Sequence, residues 1–491
     1  MWDASSTGPG WQDLVVRVLD LFDASTSTII LPDATSSSAR EVAREGRRLA
    51  AALRSSGLAP GDRVAVQLPN GVTYLRLLAA CAAARLVLVS VNTRFTEAEA
   101  ANVIERSGAA FAVRSVDALG PRAIEATGIS AALDDGLPDD PFVVFTTSGT
   151  TSRPKLVRHT QASIAHHGRN AARSFGYDES DTALIVMPLC GTFGLSSLTA
   201  AIAGNCRVVL TDRFDAVVTG ELIERERITV VNGSDDMFHR LIDAGADLSS
   251  IRMGGYARFN SSLDGITARA ARGGCTLIGL YGMSEVQALF AHRSPQSAVS
   301  DRERAGGALV SAAAAFRIVD GELQLRGPSM FEGYLAEGGD RIDTDLTGRA
   351  FADGWFRTGD AADEDDHRTF TYLSRLGDSI RLGGFLVAPA EIESALVEFD
   401  GVTGAQVVAV ERPNGARPVA FVTGDPTMSE ESMISALRNV LAVYKIPVRI
   451  IGLDAFPTTP SANGDKIQLG RLRAAAADLL NTPPNESEQR L

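Results

Sequence analysis

Several short stretches of the chain carry residue types that could do chemistry together. Thr146-Thr147-Ser148-Gly149-Thr150-Thr151-Ser152 follows the apolar run Val143-Val144-Phe145 and closes with Pro154-Lys155. Consecutive backbone N–H groups in such a hydroxyl-rich loop can cup phosphate oxygens. The hydroxyls add donors and Lys155 adds positive charge. A polar linker is the competing reading, and the loop is no Walker motif, because GxxxxGK[ST] is absent. Tyr281-Gly282-Met283-Ser284-Glu285 ends the apolar segment Leu277-Ile278-Gly279-Leu280, and a strand end of this kind suits a ligand cleft. The final glycine of a nucleophile elbow is missing, so Ser284 is not expected to be a hydrolase nucleophile. Glu285 reads equally as a metal ligand or as a structural carboxylate. In Gly354-Trp355-Phe356-Arg357-Thr358-Gly359-Asp360 a carboxylate follows a short strand. One carboxylate can accept both hydroxyls of a ribose; a plain turn aspartate is the alternative. Ser374-Arg375-Leu376-Gly377-Asp378 and Gly383-Gly384-Phe385 pair a cation with a glycine loop ahead of a helix start. Thr458 to Ile467 is turn-rich and carries one lysine, Lys466.

These residues need a large scaffold. The chain has 491 residues, roughly three units at ~150 residues each. With 45% hydrophobic and 22% charged residues, it is an ordinary globular mix, and disorder as the main state is excluded. A net charge of −13 argues against nucleic-acid binding through the overall field, though a local basic pocket for an anion is allowed. Cys81, Cys190, Cys206 and Cys275 are widely spaced with no CxxC, so neither a disulfide framework nor a zinc site is expected, and a cytoplasmic location fits. The opening residues lack a basic and then apolar pattern, so no signal peptide is expected. The longest apolar stretch, Leu77 to Val91, contains Arg85 and falls short of the ~18 residues of a membrane span. Thr482 to Leu491 reads as a loose polar tail.

The element pattern predicts an amphipathic helix over Ser37 to Ser56, capped by Ser37 or Ser38. A buried strand is predicted at Arg63 to Leu68, a helix at Val72 to Arg85 and a strand at Leu86 to Val91. The alternation continues to about residue 310 and predicts α/β layers with largely parallel sheets. After Ala305 the pattern becomes β-rich. Asp320-Gly321 predicts a two-residue hairpin. Trp355 to Thr358 and Thr369 to Leu373 read as short strands joined by a solvated acidic turn, Asp363-Glu364-Asp365-Asp366. From Asp378 onward, short strands mix with helices such as Pro389 to Phe399 and Ser429 to Ala442, a small α+β unit. The boundary is placed at Gly377, giving residues 1–376 and 377–491. His159, His166, His167, His239, His292 and His367 show no metal spacing and read as structural or surface residues.

Taken in order, these segments resemble the adenylate-forming superfamily of acyl- and aryl-CoA ligases, peptide-synthetase adenylation domains and beetle luciferases. The likeness covers roughly residues 30 to 475. It implies a large N-terminal domain of layered α/β sheets with a β-rich subdomain, and a small mobile α+β C-terminal lid. It further implies that Thr147, Ser148, Gly149, Thr150, Thr151 and Lys155 wrap the triphosphate of ATP. Tyr281 would stack on adenine with Gly255-Tyr256 on its other side, and Gly282, Met283 and Ser284 would line the nucleotide. Asp360 would hold the ribose, Arg375 the ribose–phosphate region, and Glu285 with Thr150 a Mg²⁺ ion. Lys466 would be the lid lysine that bridges the carboxylate and the α-phosphate. Gly191, Phe193, Asn232, Gly233, Ser234, Gly255 and Gly279 would line the acyl site. Gly383, Gly384 and Phe385 would admit the pantetheine arm of CoA after rotation about Gly377.

The implied reaction activates a carboxylic acid as its acyl-adenylate, releases pyrophosphate and transfers the acyl group to CoA. An amine as acceptor, an acyl carrier protein as acceptor, and a nucleotide-binding relative without turnover are the alternatives. The glycine loop favours CoA. A monomer or homodimer is expected. The chain departs from the family pattern at Ser152 and Leu156, where glycines are usual, and Leu156 is expected to pack against the core. Gly377 stands at the hinge where a charged residue is common. Gly191 replaces a histidine or aromatic gate, which implies an open acyl tunnel. Ser234 stands for a common proline and Tyr256 for a common alanine.

Overall fold

The computed structural model describes residues 17–115, 136–147, 154–259, 265–376, 380–382, 385–387, 389–410, 416–441, 443–461 and 464–481. At 381, 385–386, 444, 460–461, 464–466 and 481 it describes the backbone alone. Two sheets carry the larger part of the chain. In the first, the strands Thr28–Ile30, Arg207–Leu210, Thr182–Ile185, Val230–Ser234, Met253–Ala257 and Leu277–Met283 run parallel in that spatial order. From Leu277–Met283 outward the partners turn antiparallel. They are Gln287–His292, Gly306–Leu309, Thr369–Arg375, Trp355–Asp366, Glu322–Arg326 and Ala315–Val319. The second sheet has four parallel strands, Phe111–Val113, Arg63–Val66, Val87–Ser90 and Pro141–Thr146. Leu156–Thr160 and then Gly333–Tyr334 add to it antiparallel. Leu277–Met283 and Pro141–Thr146 are therefore both the strand at which parallel pairing gives way to antiparallel. The two richest motifs follow these two strands, at the carboxyl-end crevice that α/β sheets offer to ligands.

Local chemistry accounts for the elements that flank the site. The helix Ala39–Ser55 starts on a capping box: the Ser38 hydroxyl accepts from Glu41 N at 3.1 Å and the Glu41 carboxylate accepts from Ser38 N at 3.0 Å. Val72–Ala84 is apolar apart from Thr73 and from Arg76, which pairs with Glu45, and ten of its 13 residues are buried, as a helix packed within the core must be. Asp320 and Gly321 both have positive φ, 52° and 80°, and the strands they join pair with Val319 opposite Glu322, the geometry of a tight hairpin. Leu156 is buried against Val144 and Leu335 in the second sheet's core, as its replacement of a glycine implied.

The structure corrects three expectations. Antiparallel pairing is not confined to the chain after Ala305: it occurs already within 28–38 and 141–160, and in the first sheet it becomes the rule from Gln287, because the bulged turn after Met283 sends the chain straight back beside its own strand. Trp355–Asp366 is one twelve-residue strand, and the acidic residues form its end rather than a turn. The four acidic residues are exposed, as expected, and Asp365 is paired as well: it accepts from Arg293 at 2.8 Å, from Arg304 at 3.1 Å and from Thr371 at 2.8 Å. Arg293 is almost fully buried and recruits it. The second predicted helix of the C-terminal part ends early, at Leu437, after Ser429 caps it.

The core residues fall into separate sets. Three draw only on residues up to 372. Two draw only on residues from 380 onward, around the three-stranded sheet Val402–Val410, Arg417–Gly424 and Arg449–Leu453. All four cysteines are buried and free. Among the described residues no helix is long and apolar enough to cross a membrane.

Candidate active site

The phosphate loop leaves Pro141–Thr146 and re-enters at Leu156–Thr160. Its neck is closed by two bonds: Thr147 N donates to the Lys155 carbonyl at 3.0 Å, and Lys155 N donates to the Thr147 hydroxyl at 3.0 Å. Ser148, Gly149, Thr150, Thr151 and Ser152 lie outside the described residues. The neck alone fixes where the loop starts and ends, and it brings Lys155 beside Tyr334. The ammonium sits 4.4 Å from the ring centroid and 3.5 Å from the hydroxyl, a cation–π geometry.

Glu285 is buried beside the same tyrosine, and the Tyr334 hydroxyl donates to Glu285 Oε1 at 2.9 Å. The turn that presents Glu285 is held from outside. The His159 ring Nε2 lies 2.7 Å from the Ser284 carbonyl oxygen, which requires the Nε2–H tautomer. Phe331 N donates to the Glu285 carbonyl at 2.8 Å. Just beyond, Gln287 and Leu289 have φ of 68° and 61°, a conformation costing about 1–2 kcal/mol for a residue with a Cβ. Gln287 Nε2 anchors the strained backbone by donating to the Ser163 carbonyl at 2.9 Å. Burial raises the pKa of the Glu285 carboxyl, with the Tyr334 hydroxyl opposing that shift. A desolvated carboxylate whose charge is partly offset by Lys155 and Arg375 suits a hard divalent ion whose remaining ligands are phosphate oxygens and water. Among the described residues no cluster of three or more metal-ligating side chains exists, so a Mg²⁺ ion here would depend on the nucleotide.

A second chain of contacts lies alongside. Asp360 and Arg375 face each other across neighbouring antiparallel strands, and Arg375 Nη1 donates to Asp360 Oδ1 at 2.8 Å. The Tyr281 hydroxyl donates to Asp360 Oδ2 at 2.6 Å. Burial first, and then the Asp360 charge, pushes the Tyr281 phenol well above its ordinary pKa, so it stays a donor at neutral pH. Asp360 N in turn donates to Thr358 Oγ1 at 3.0 Å. A carboxylate has about four acceptor sites, so one carboxylate can serve protein partners and a diol together. A cavity of about 300 Å³ joins the two chains of contacts and is lined by Lys155, Met283, Glu285, Tyr334, Gly359 and Arg375 among others. A separate cavity of about 370 Å³, beside Ala312–Phe316 and His367, contains none of the predicted residues.

The acyl candidates gather on the parallel strands. Asn232, Gly233 and Ser234 are buried on Val230–Ser234, and Asn232 pairs with Gly255 in register. A Cβ at 255 would lie 2.4 Å from Asn232 Oδ1, so that position requires glycine. Gly191 is the N-cap of Thr192–Ala203, with Phe193 buried in its first turn. Gly279 faces the Arg304 carbonyl, which a Cβ would approach to 2.2 Å, and the Met237 side chain fills the space over Gly233. The Tyr256 ring is buried and its hydroxyl donates to the Glu303 carbonyl at 2.8 Å; what it offers a nucleotide is its backbone. Gly282 sits against Gln287 and Ala288 in the tight return of the strand, and Met283 lines the cavity.

The lid candidates are described in part. Gly377, Gly383 and Gly384 lie outside the described residues. Phe385 begins the strand Phe385–Val387 and pairs with Leu382. Lys466 lies in Gly464–Ile467, opposite Thr459 in a short hairpin, and its backbone alone is described. Sequence reasoning missed Tyr334, His159 as the support of Ser284, and Gln287. An aromatic after Glu332-Gly333 was the only signal for Tyr334, and nothing local marks the other two. His159 and His167 are fully buried, and burial pulls their pKa down to about 4, in keeping with structural roles.

Comparison with known proteins places this geometry among relatives. Residues 24–335 match the family described as AMP-binding enzyme, and residues 391–463 match its C-terminal domain. A feruloyl-CoA synthase from Amycolatopsis is 29% identical over 474 residues, covering 88% of this chain and 92% of that protein. A Mycobacterium tuberculosis protein named 3-[(3aS,4S,7aS)-7a-methyl-1,5-dioxo-octahydro-1H-inden-4-yl]propanoyl:CoA ligase is 31% identical over 483 residues, covering 86% and 91%. The crystal structure of ATP-bound MatB from Rhodopseudomonas palustris superposes with a TM-score of 0.82 at 23% identity, covering 94% of this chain and all of that one; at that identity the likeness is one of fold.

Proposed function

Because this chain belongs to the AMP-binding enzyme family, we propose how its residues divide the work of a carboxylate–CoA ligase. Such an enzyme uses ATP to turn an acid into its acyl-adenylate, releases pyrophosphate, and passes the acyl group to CoA. The observation that carries the assignment is the meeting of Lys155, Tyr334, Glu285 and Arg375 around one cavity, with Asp360 and then Tyr281 hydrogen-bonded in series to Arg375.

A carboxylate attacking an α-phosphate meets an anion, so catalysis is largely charge compensation and positioning. Lys155 and the phosphate loop, including Ser148, Gly149, Thr150 and Thr151, take the triphosphate. Asp360 takes the ribose hydroxyls, held in place by Tyr281 and Arg375, and Tyr281 offers its ring to adenine. Glu285 and Thr150 would hold Mg²⁺, which supplies positive charge to the phosphates and to the departing pyrophosphate. Lys466 brings the further cation to the carboxylate and the α-phosphate. The acid lies along Asn232 to Ser234, Gly255 and the helix that begins after Gly191. In the second half-reaction the thiol adds to the acyl carbonyl and AMP leaves with its phosphate oxygen. The Gly383-Gly384-Phe385 loop gives the pantetheine arm close backbone approach. Residues 377–491 would act as the moving unit, a reading supported by core residues that divide between 372 and 380. We place the protein in the cytoplasm, where ATP and CoA are at hand and buried thiols stay reduced.

The test is a carboxylic-acid panel in a pyrophosphate-release assay with and without CoA, with products weighed by mass spectrometry. An acyl-CoA for at least one acid is expected. Acyl-adenylate that is consumed only by an amine or by a carrier protein would reassign the acceptor, and no acid-dependent pyrophosphate release would remove the reading.

A further inference from the structure

Tyr334 touches both of the charges that meet the phosphates. Its hydroxyl donates to Glu285 Oε1 at 2.9 Å, and its ring carries the Lys155 ammonium 4.4 Å from the centroid. Among the described residues Lys155 forms no ion pair with Glu285, although the two flank one side chain. Opposite charges in a water-poor site attract strongly, and a direct pair would take both from their ligands.

The backbone around Tyr334 is a brace between the two motifs. Phe331 N donates to the Glu285 carbonyl at 2.8 Å, Glu332 N to the Arg158 carbonyl at 2.7 Å, and Leu335 N to the Leu156 carbonyl at 2.8 Å. The Glu332 carboxylate accepts from Arg158 at 2.6 and 2.9 Å. Tyr334 itself pairs with Val157, and its N–H donates to Thr347 Oγ1 at 3.0 Å. Five consecutive residues thus tie the exit strand of the phosphate loop to both the backbone and the carboxylate of Glu285. The phenol is buried, and its hydroxyl donates to that carboxylate while accepting from Lys155 Nζ at 3.5 Å.

We propose that Tyr334 is a positioning residue for metal-assisted adenylation: its hydroxyl orients the Glu285 carboxylate toward the nucleotide-bound Mg²⁺, and its ring seats Lys155 apart from it. This rests on the reading of Glu285 as the metal-side carboxylate. The hydroxyl acts through Glu285 and touches no reacting atom. It stands to the metal as other outer hydrogen bonds do, whose loss costs about 10–100-fold in metal affinity or activity.

The experiment uses the full chain and the isosteric Tyr334→Phe variant, which keeps the ring and removes the donor. Calorimetry reads the binding of α,β-methylene-ATP with and without Mg²⁺, and of AMP alone. The variant is expected to lose about 10-fold of the affinity gained from Mg²⁺ while AMP binding stays within 2-fold of wild type. Pyrophosphate exchange should need about 10-fold more Mg²⁺ for half-saturation, and thioester formation from supplied acyl-adenylate should be unchanged. In a Glu285→Gln background the same change should have no further effect on Mg²⁺ dependence. Tyr334→Leu, which also removes the ring, should in addition weaken nucleotide binding without Mg²⁺. Wild-type Mg²⁺ dependence in Tyr334→Phe, or equal weakening of AMP and of the Mg²⁺ complex, overturns the proposal. Wild-type protein without acid-dependent exchange would instead overturn the ligase reading itself.

Discussion

At the scale of single residues, the site works by pairing each charge with a group that aims it. Asp360 is oriented from both sides, by Arg375 and by Tyr281, and Glu285 by Tyr334. The exception is Lys466, whose assigned role depends on arriving from the small C-terminal unit. Its loss should therefore divide the two half-reactions. Lys466→Ala is expected to slow acid-dependent pyrophosphate exchange on the order of 10²–10³-fold, the worth of one well-placed cation at a developing charge. Thioester formation from supplied acyl-adenylate should persist; equal loss of both steps would refute the assignment. The motifs made these residues legible because each sits in an unusual local context of glycines and hydroxyls. Tyr334 was not legible, since its partners are 49 and 179 positions away, and nothing beside it in the chain signals either one.

At the scale of elements, the proposed site lies where two sheet strands turn from parallel to antiparallel pairing. Each is followed in the sequence by one of the motifs. The acyl side is set by the helix Thr192–Ala203, which starts at Gly191. Glycine puts no side chain there, where the family pattern has a histidine or an aromatic residue. Gly191→Trp is expected to narrow the accepted acids toward shorter ones, read from relative kcat/KM across the acid panel. Its φ of −108° is open to any residue, so folding should survive. An unchanged substrate profile would remove the idea of an open tunnel. The hairpin at Asp320-Gly321 and the capped helix at Ala39 were readable from local rules. The long strand Trp355–Asp366 was not, because its acidic end is stabilised by Arg293, 72 residues upstream and just past Gln287–His292.

At the scale of the whole molecule, two buried histidines set a pH limit. His159 and His167 titrate near pH 4 in the folded protein, held down by burial, against about 6.5 in an unfolded chain. Between those values the unfolded state takes up protons that the native state refuses. Stability is therefore whole above pH 6.5 and falls as the pH drops toward 4, by about 2 kcal/mol per histidine at pH 5. The urea midpoint should be clearly lower at pH 5 than at pH 7, and His167→Gln should flatten the slope; equal midpoints would mean the rings are not buried neutral. The division of the core predicts a second outcome. Residues 1–376 made alone should fold, bind AMP and fail to catalyse pyrophosphate exchange, as calorimetry and the exchange assay would read. Failure of that piece to fold would move the boundary from 377. The sequence by itself determined the class of the fold, the order of the motifs and the kinds of group available, because periodicity and turn chemistry are local and act within a few residues. Only the tertiary structure decided which groups meet: Tyr281 with Asp360, Lys155 with Tyr334, Tyr334 with Glu285. Strand order and register bring distant segments together, and those are settled by how whole faces bury against one another, which no short stretch of chain encodes.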